Sequence, residues 1–122
     1  MRISEAESVV MELLWKRSPL GADEVVAALA AGQDWQESTI KTLLNRLLKK
    51  GAIRARKDGR RFLYAPVLKR VDWVQRESEG LLDRLFGGRV APLVAHFSER
   101  SKLSKKDIAD LKRLIGEMDR DN

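Results

Sequence analysis

Apolar side chains recur at three- and four-residue intervals through most of this chain, the period of amphipathic helices. Ala6, Val9, Val10, Leu13 and Leu14 share one face of a first helix predicted from about Ser4 to Arg17. Ser4 and Glu7 have the spacing of a capping box, in which each side chain satisfies a backbone amide of the other residue. Ser18-Pro19-Leu20-Gly21 ends that helix, and Leu20 is placed to add a short strand to a small sheet. A short second helix follows from Ala22 to Ala31, with Val25, Val26 and Leu29 on one side. Asp23 and Glu24 lie in its first turn, where the helix dipole favours acids, and Gly32 is placed as its stop. A third helix starts near Glu37 or Ser38, with Ile40, Leu43, Leu44, Leu47 and Leu48 as its apolar stripe. Its other face carries Thr39, Lys41, Thr42, Asn45, Arg46 and Lys49, and Lys49-Lys50-Gly51 closes it.

The period then drops to two. Ala52–Lys57 and Arg60–Pro66 flank Asp58-Gly59, a strong hairpin signal. Ile53 and Ala55 face one way on the first strand, Arg54 and Arg56 the other. Helical spacing returns after Pro66, with Val71, Val74, Leu81, Leu82, Leu85 and Phe86 in a long helix from Val67 to about Phe86. Gly87-Gly88 is a break. Val90, Leu93, Val94 and Phe97 mark the next helix, with Pro92 in its first turn, where proline is tolerated. Ser104 caps a last helix whose stripe is Ile108, Leu111, Leu114, Ile115 and Met118.

Charge changes the picture more than composition does. The chain has 122 residues, 24 basic and 18 acidic, for a net charge of +6. Residues 1–38 are net −4, residues 39–70 net +10, and residues 71–122 net 0. The positive excess therefore sits in one segment of 32 residues that spans the third helix and the hairpin, the footprint expected of a phosphate-backbone binder. No run approaches the roughly 20 apolar residues that span a bilayer, and the N-terminus has no apolar core like that of a secretory signal. The reading is a cytoplasmic protein. With no cysteine and one histidine, disulfides, thiolate-metal sites and multi-histidine metal sites are excluded within one chain. No glycine-rich phosphate loop, GxSxG elbow or His-Glu zinc motif occurs, and Glu77 and Glu79 lie two apart on a helix and do not converge. His96 stands in an amphipathic helix with no nucleophile beside it and reads as structural. The expectation is a protein without cofactor or catalytic activity. Trp15, Trp35 and Trp73 read as packing residues, because none lies inside the basic segment.

Three helices followed by a basic hairpin form a winged helix-turn-helix. The predicted fold is mostly α with a small β-hairpin: a winged-helix domain over 1–66 and a three-helix dimerisation region over 67–122. The third helix would lie in the major groove. Asn45 is suited to adenine, Lys41 and Arg46 to guanine, and Thr39 and Thr42 to a base edge or a thymine methyl. Ser38, Lys49, Arg54, Arg56, Lys57, Arg60 and Arg61 would meet the backbone or the minor groove. The stripes after the hairpin look too extended for a self-contained core. Val74, Leu81, Leu82, Leu85, Phe86, Leu93, Val94, Phe97, Ile108, Leu111, Leu114 and Ile115 are therefore assigned to a dimer interface, which would bring two domains to two half-sites. Two other readings stay open: a winged-helix regulator controlled by a small molecule, and a winged-helix protein-interaction module.

Several stretches resemble the penicillinase-repressor family, the BlaI/MecI type. Ile3-Ser4-Glu5-Ala6-Glu7 and the Leu14-Trp15 pair are similar to its opening, and Thr39 to Leu47 with Lys49-Lys50-Gly51 to its recognition helix. Gly59-Arg60-Arg61-Phe62-Leu63-Tyr64 resembles its wing. Glu77-Ser78 and Leu82 to Gly88 resemble its linker helix, and Pro92 to Phe97 and Leu103 to Leu114 its dimerisation helices. The resemblance implies a homodimeric repressor on inverted-repeat operators, released when a membrane sensor protease answers a cell-wall antibiotic. The family's cleaved bond is typically Asn-Phe; His96-Phe97 stands there in this chain and is the candidate cleavage site. A copper-responsive branch carries a C-terminal cysteine cluster, which this chain lacks.

Overall fold

A computed structural model describes residues 1–100 and 102–121. The chain order is α1 (Glu5–Lys16), β1 (Leu20–Gly21), α2 (Ala22–Gln33), α3 (Glu37–Lys50), β2 (Ile53–Asp58), β3 (Arg61–Pro66), α4 (Arg70–Phe86), α5 (Val90–Glu99) and α6 (Lys105–Asp121). The chain is mostly helical with one small antiparallel sheet in the order β1-β3-β2. It divides into two compact units, Met1–Val74 and Gln75–Asn122, so the division falls inside α4.

The first unit is built on three helices whose apolar stripes meet. Val10, Met11, Leu14, Val25, Ile40 and Leu47 are fully buried, and Leu43, Leu44 and Ile53 nearly so. The Ser4 cap forms as expected: the Glu7 amide donates to Ser4 Oγ at 3.1 Å, and the Ser4 amide donates to Glu7 Oε1 at 2.8 Å. Leu20 does form a short strand, pairing with Tyr64 while Gly21 pairs with Leu63. All three tryptophans pack against the core.

Three boundaries differ from expectation. Helix α2 runs through Gly32 to Gln33 and stops at Asp34, which takes the left-handed conformation at φ 55°. Aspartate tolerates that region, so Gly32 was not needed as the stop. The hairpin turns on Gly59 and Arg60 rather than Asp58-Gly59, because Asp58 is already paired with Arg61. Gly59, at φ +64°, holds the first central position, where a two-residue loop of the II′ kind needs glycine. Helix α4 begins at Arg70, not Val67. The Val67 and Leu68 amides both donate to the Ala52 carbonyl, at 2.8 and 3.0 Å, and Leu68 drops into the core. Trp15 Nε1 then donates to the Leu68 carbonyl at 2.8 Å. Trp73 lies 5.4 Å from Trp15 between ring centroids, and Arg70 Nε meets Glu12 at 2.9 Å. These contacts fasten the first turn of α4 to α1.

In the second unit no described side chain is fully buried. Leu81, Leu85, Val90, Phe97, Ile108, Leu114, Ile115 and Met118 are all exposed. Ser104 caps α6 as expected, its Oγ accepting from the Asp107 amide at 3.0 Å.

Candidate nucleic-acid interface

Helix α3 separates cleanly into two faces. Ile40, Leu43, Leu44 and Leu47 point into the core, and Ser38, Thr39, Lys41, Thr42, Asn45, Arg46 and Lys49 are all exposed. Gly51 ends the helix at φ 76°, its amide donating to the Leu47 and Leu48 carbonyls. A left-handed residue here reverses the chain directly into β2, so the hairpin starts beside the end of α3. Within the exposed face the side chains are not equally free. Lys41 Nζ sits 3.3 Å from Glu37, and the Thr42 hydroxyl donates to the Ser38 carbonyl at 2.9 Å. Thr42 is left with its methyl group and its acceptor lone pairs. Asn45 and Arg46 make no side-chain hydrogen bond or ion pair among the described residues, which leaves their donors available.

Directly paired residues share a face of a sheet, so the strand register sorts the wing. Arg54, Arg56, Leu63 and Ala65 lie on one face, where with Ser18 and Pro19 they line a shallow cleft of about 270 Å³. Lys57 lies on the opposite face, across from Phe62, and Arg60 is at the turn. Arg61 is the exception among the wing cations. Its guanidinium lies 3.2 Å from Glu24 and 3.9 Å from Asp23, and Glu24 also accepts from the Gly21 amide at 3.0 Å. The acids at the start of α2 thus hold one wing arginine.

Lys50, next to Lys49 in the sequence, has a different job. Its ammonium contacts Glu7 Oε1 at 2.5 Å and the Arg2 carbonyl at 2.8 Å. Glu7 is 1% exposed. Burial pushes its carboxyl pKa up, but the Lys50 hydrogen bond, the Ser4 backbone and hydroxyl, and the Lys50 charge together hold it below the ordinary value. Lys50 therefore ties the end of α3 to the start of α1. Of the eleven cations in residues 39–70, Lys41, Lys50, Arg61 and Arg70 have acidic partners within the chain. Arg46, Lys49, Arg54, Arg56, Lys57, Arg60 and Lys69 have none among the described residues.

Of the residues assigned to a dimer interface, Leu93, Val94, Phe97, Leu111 and Leu114 come together with Leu103 along an apolar groove of about 380 Å³ between α5 and α6. Leu81 and Leu82 line a second hollow with Leu93. Leu85, Ile108 and Ile115 are exposed, Phe86 is half-buried, and Val74 falls in the first unit. His96 and Phe97 lie within α5, the imidazole 6.1 Å from the Phe86 ring and edge-on to Phe97 at 5.3 Å.

A profile described as penicillinase repressor matches residues 3–117. The penicillinase repressor of Bacillus licheniformis is 36% identical over 116 residues, covering 95% of this chain and 91% of that protein. The methicillin resistance regulatory protein MecI of Staphylococcus aureus (strain N315) is 31% identical over 113 residues, covering 93% and 92%. Among solved structures, monomeric Bacillus licheniformis BlaI in complex with the blaP half-operator superposes with a TM-score of 0.53 at 42% identity. That likeness covers 59% of this chain and 88% of that one.

Proposed function

The chain belongs to the penicillinase-repressor family, a family of transcriptional repressors, and from that premise we propose that it represses as a homodimer bound to an inverted-repeat operator. The observation that carries the DNA reading is the join between an exposed polar α3 face and a wing in which four of five cations have no acidic partner among the described residues. Asn45 and Arg46 read base edges, with Thr39, Lys41 and Thr42 beside them. Ser38, Lys49, Arg54, Arg56, Lys57 and Arg60 hold the backbone, and Arg61, shared with Glu24 and Asp23, adds less. One first unit per half-site fits a two-fold operator, and the BlaI relative is described on a half-operator as a monomer.

The test is selection of duplexes from a random library by the purified protein, followed by titration. Asn45→Ala and Arg46→Ala should each weaken the selected duplex by about 1–3 kcal/mol and relax one base position. Unchanged discrimination in both variants would remove α3 as the reader.

The exposed apolar residues of α5 and α6 support dimerisation through the second unit. Ile115→Asp should give a folded monomer by light scattering, with the second half-site occupied independently of the first; a dimer that survives would refute this face. Induction is proposed to follow cleavage at His96-Phe97 by a membrane sensor protease that answers a cell-wall antibiotic. Repressor recovered from antibiotic-treated cells should then yield a C-terminal fragment starting at Phe97 by intact mass. A fragment with another terminus, or no fragment, would discard that bond.

A further inference from the structure

Along the core-side face of the hairpin, burial runs out before the chain does. Ile53 is 3% exposed, Tyr64 packs partly on the core beside Ala55, and Phe62, opposite Lys57, is 50% exposed. Phe62 is the one aromatic side chain of the first unit that stands exposed. Its surroundings on the hairpin are cationic: Lys57 across the ladder and Arg60 in the turn have no acidic partner among the described residues, Arg61 next in sequence is held by Glu24 and Asp23, and Asp58 is the single acid of the hairpin. Phosphate contacts account for the cations. They give no use to a phenyl ring, which at this place has no core to cover.

The surface that would suit both is anionic along its edges and apolar between them. The DNA minor groove has that make-up, with phosphates on its rims and deoxyribose on its walls. We propose that Phe62 is an apolar DNA contact of the wing, seated against the deoxyribose walls of the minor groove that flanks the α3 site. The proposal rests on the DNA reading above and adds a contact that salt does not screen. An acidic protein surface could also face such a tip. DNA is favoured because the same uncompensated charge continues from the wing onto the exposed face of α3.

Salt dependence separates the two kinds of contact. Losing a phosphate-bound cation lowers the slope of log affinity against log salt by about 1, whereas losing an apolar contact lowers affinity and leaves the slope alone. The experiment uses the full chain and a duplex that the wild type enriches from a random library. Phe62→Ala should bind it about tenfold more weakly at every salt concentration, with an unchanged slope and thermal midpoint. Phe62→Gln, which keeps bulk without apolarity, should fall alongside it, and Phe62→Leu should keep most of the affinity. Hydroxyl-radical footprinting, which reads the accessibility of deoxyribose, should lose protection at the outer flank in Phe62→Ala and keep it across the α3 site. Wild-type affinity and footprint in both Phe62→Ala and Phe62→Gln would overturn the proposal, as would a weakened affinity accompanied by a lower slope. Failure of the wild type to enrich any duplex would instead remove the DNA reading itself.

Discussion

Replacing Lys50 with methionine tests whether a cation inside the basic run works for the fold rather than for DNA. Glu7 keeps its carboxylate at 1% exposure, and its Oε2 is buried with no hydrogen-bond partner among the described residues. Without the ammonium, Oε1 would retain only the Ser4 amide as donor. Breaking a fully buried pair by removing one member costs about 3–5 kcal/mol. The Lys50 side chain is 36% exposed, so water reaches that side, and we take about 2–3 kcal/mol. For a unit of this size that is a fall in Tm of about 10–20 °C. Urea unfolding followed by tryptophan fluorescence reads it, since Trp15 of α1 and Trp73 of α4 pack on each other and on the core. Glu7→Gln should destabilise too, and the double variant should lie about 1–2 kcal/mol short of the two single losses combined. Acid provides a second axis. A carboxyl whose folded pKa is lowered contributes stability above its unfolded value, near 4.5, and loses it as pH falls through the folded value. The wild type should therefore lose its advantage over Glu7→Gln as pH drops below about 4.5. Below saturation of folding, Lys50→Met should bind DNA less only in proportion to its unfolded fraction, with the salt slope unchanged. Additive single effects, or a Lys50→Met loss under about 0.5 kcal/mol, would refute the clamp.

Three further outcomes follow from the same geometry. Arg60→Ala should lower the salt slope of DNA binding more than Arg61→Ala, because Glu24 and Asp23 already neutralise Arg61; the exposed Arg61 bridge should itself contribute less than about 1 kcal/mol to stability by denaturant titration. Gly51→Ala should destabilise by about 1 kcal/mol in thermal unfolding, because an L side chain strains the backbone at φ 76°. Trp15→Phe should lose about 1 kcal/mol with its hydrogen bond to Leu68, and hydrogen exchange should quicken at Asp72 and Trp73.

The helices and the exposed α3 face were legible because a period of 3.6 separates apolar from polar positions without reference to anything distant. What was missed depends on contacts far along the chain. Lys49 and Lys50 are equivalent in a basic run, yet Glu7 captures Lys50 from 43 residues away. Arg61 reads as a free wing arginine until Glu24, 37 residues earlier, is brought beside it. Val67 and Leu68 fit a helical stripe, but the Ala52 carbonyl takes both their amides and delays α4 to Arg70. The Asp58-Gly59 pair marked the hairpin but not which two residues would be central, since pairing to Arg61 sets that. Phe62 had a local signal in the sequence: an aromatic two residues before Tyr64, on the turn side of the strand, where the core has already ended.

The placement of His96-Phe97 within α5 bears on how fast any cut there could be made. Proteases take substrates as extended strands, so a bond in the body of a helix is open to them only while that helix is locally melted. Where opening and closing outpace cutting, the rate scales with the open population, and each 1.4 kcal/mol of added stability in α5 slows it about tenfold. Whatever packs on α5 would then act as a timer. A tighter assembly would hold the switch shut longer, and weakening α5 far from the bond would shorten the delay without changing the bond itself.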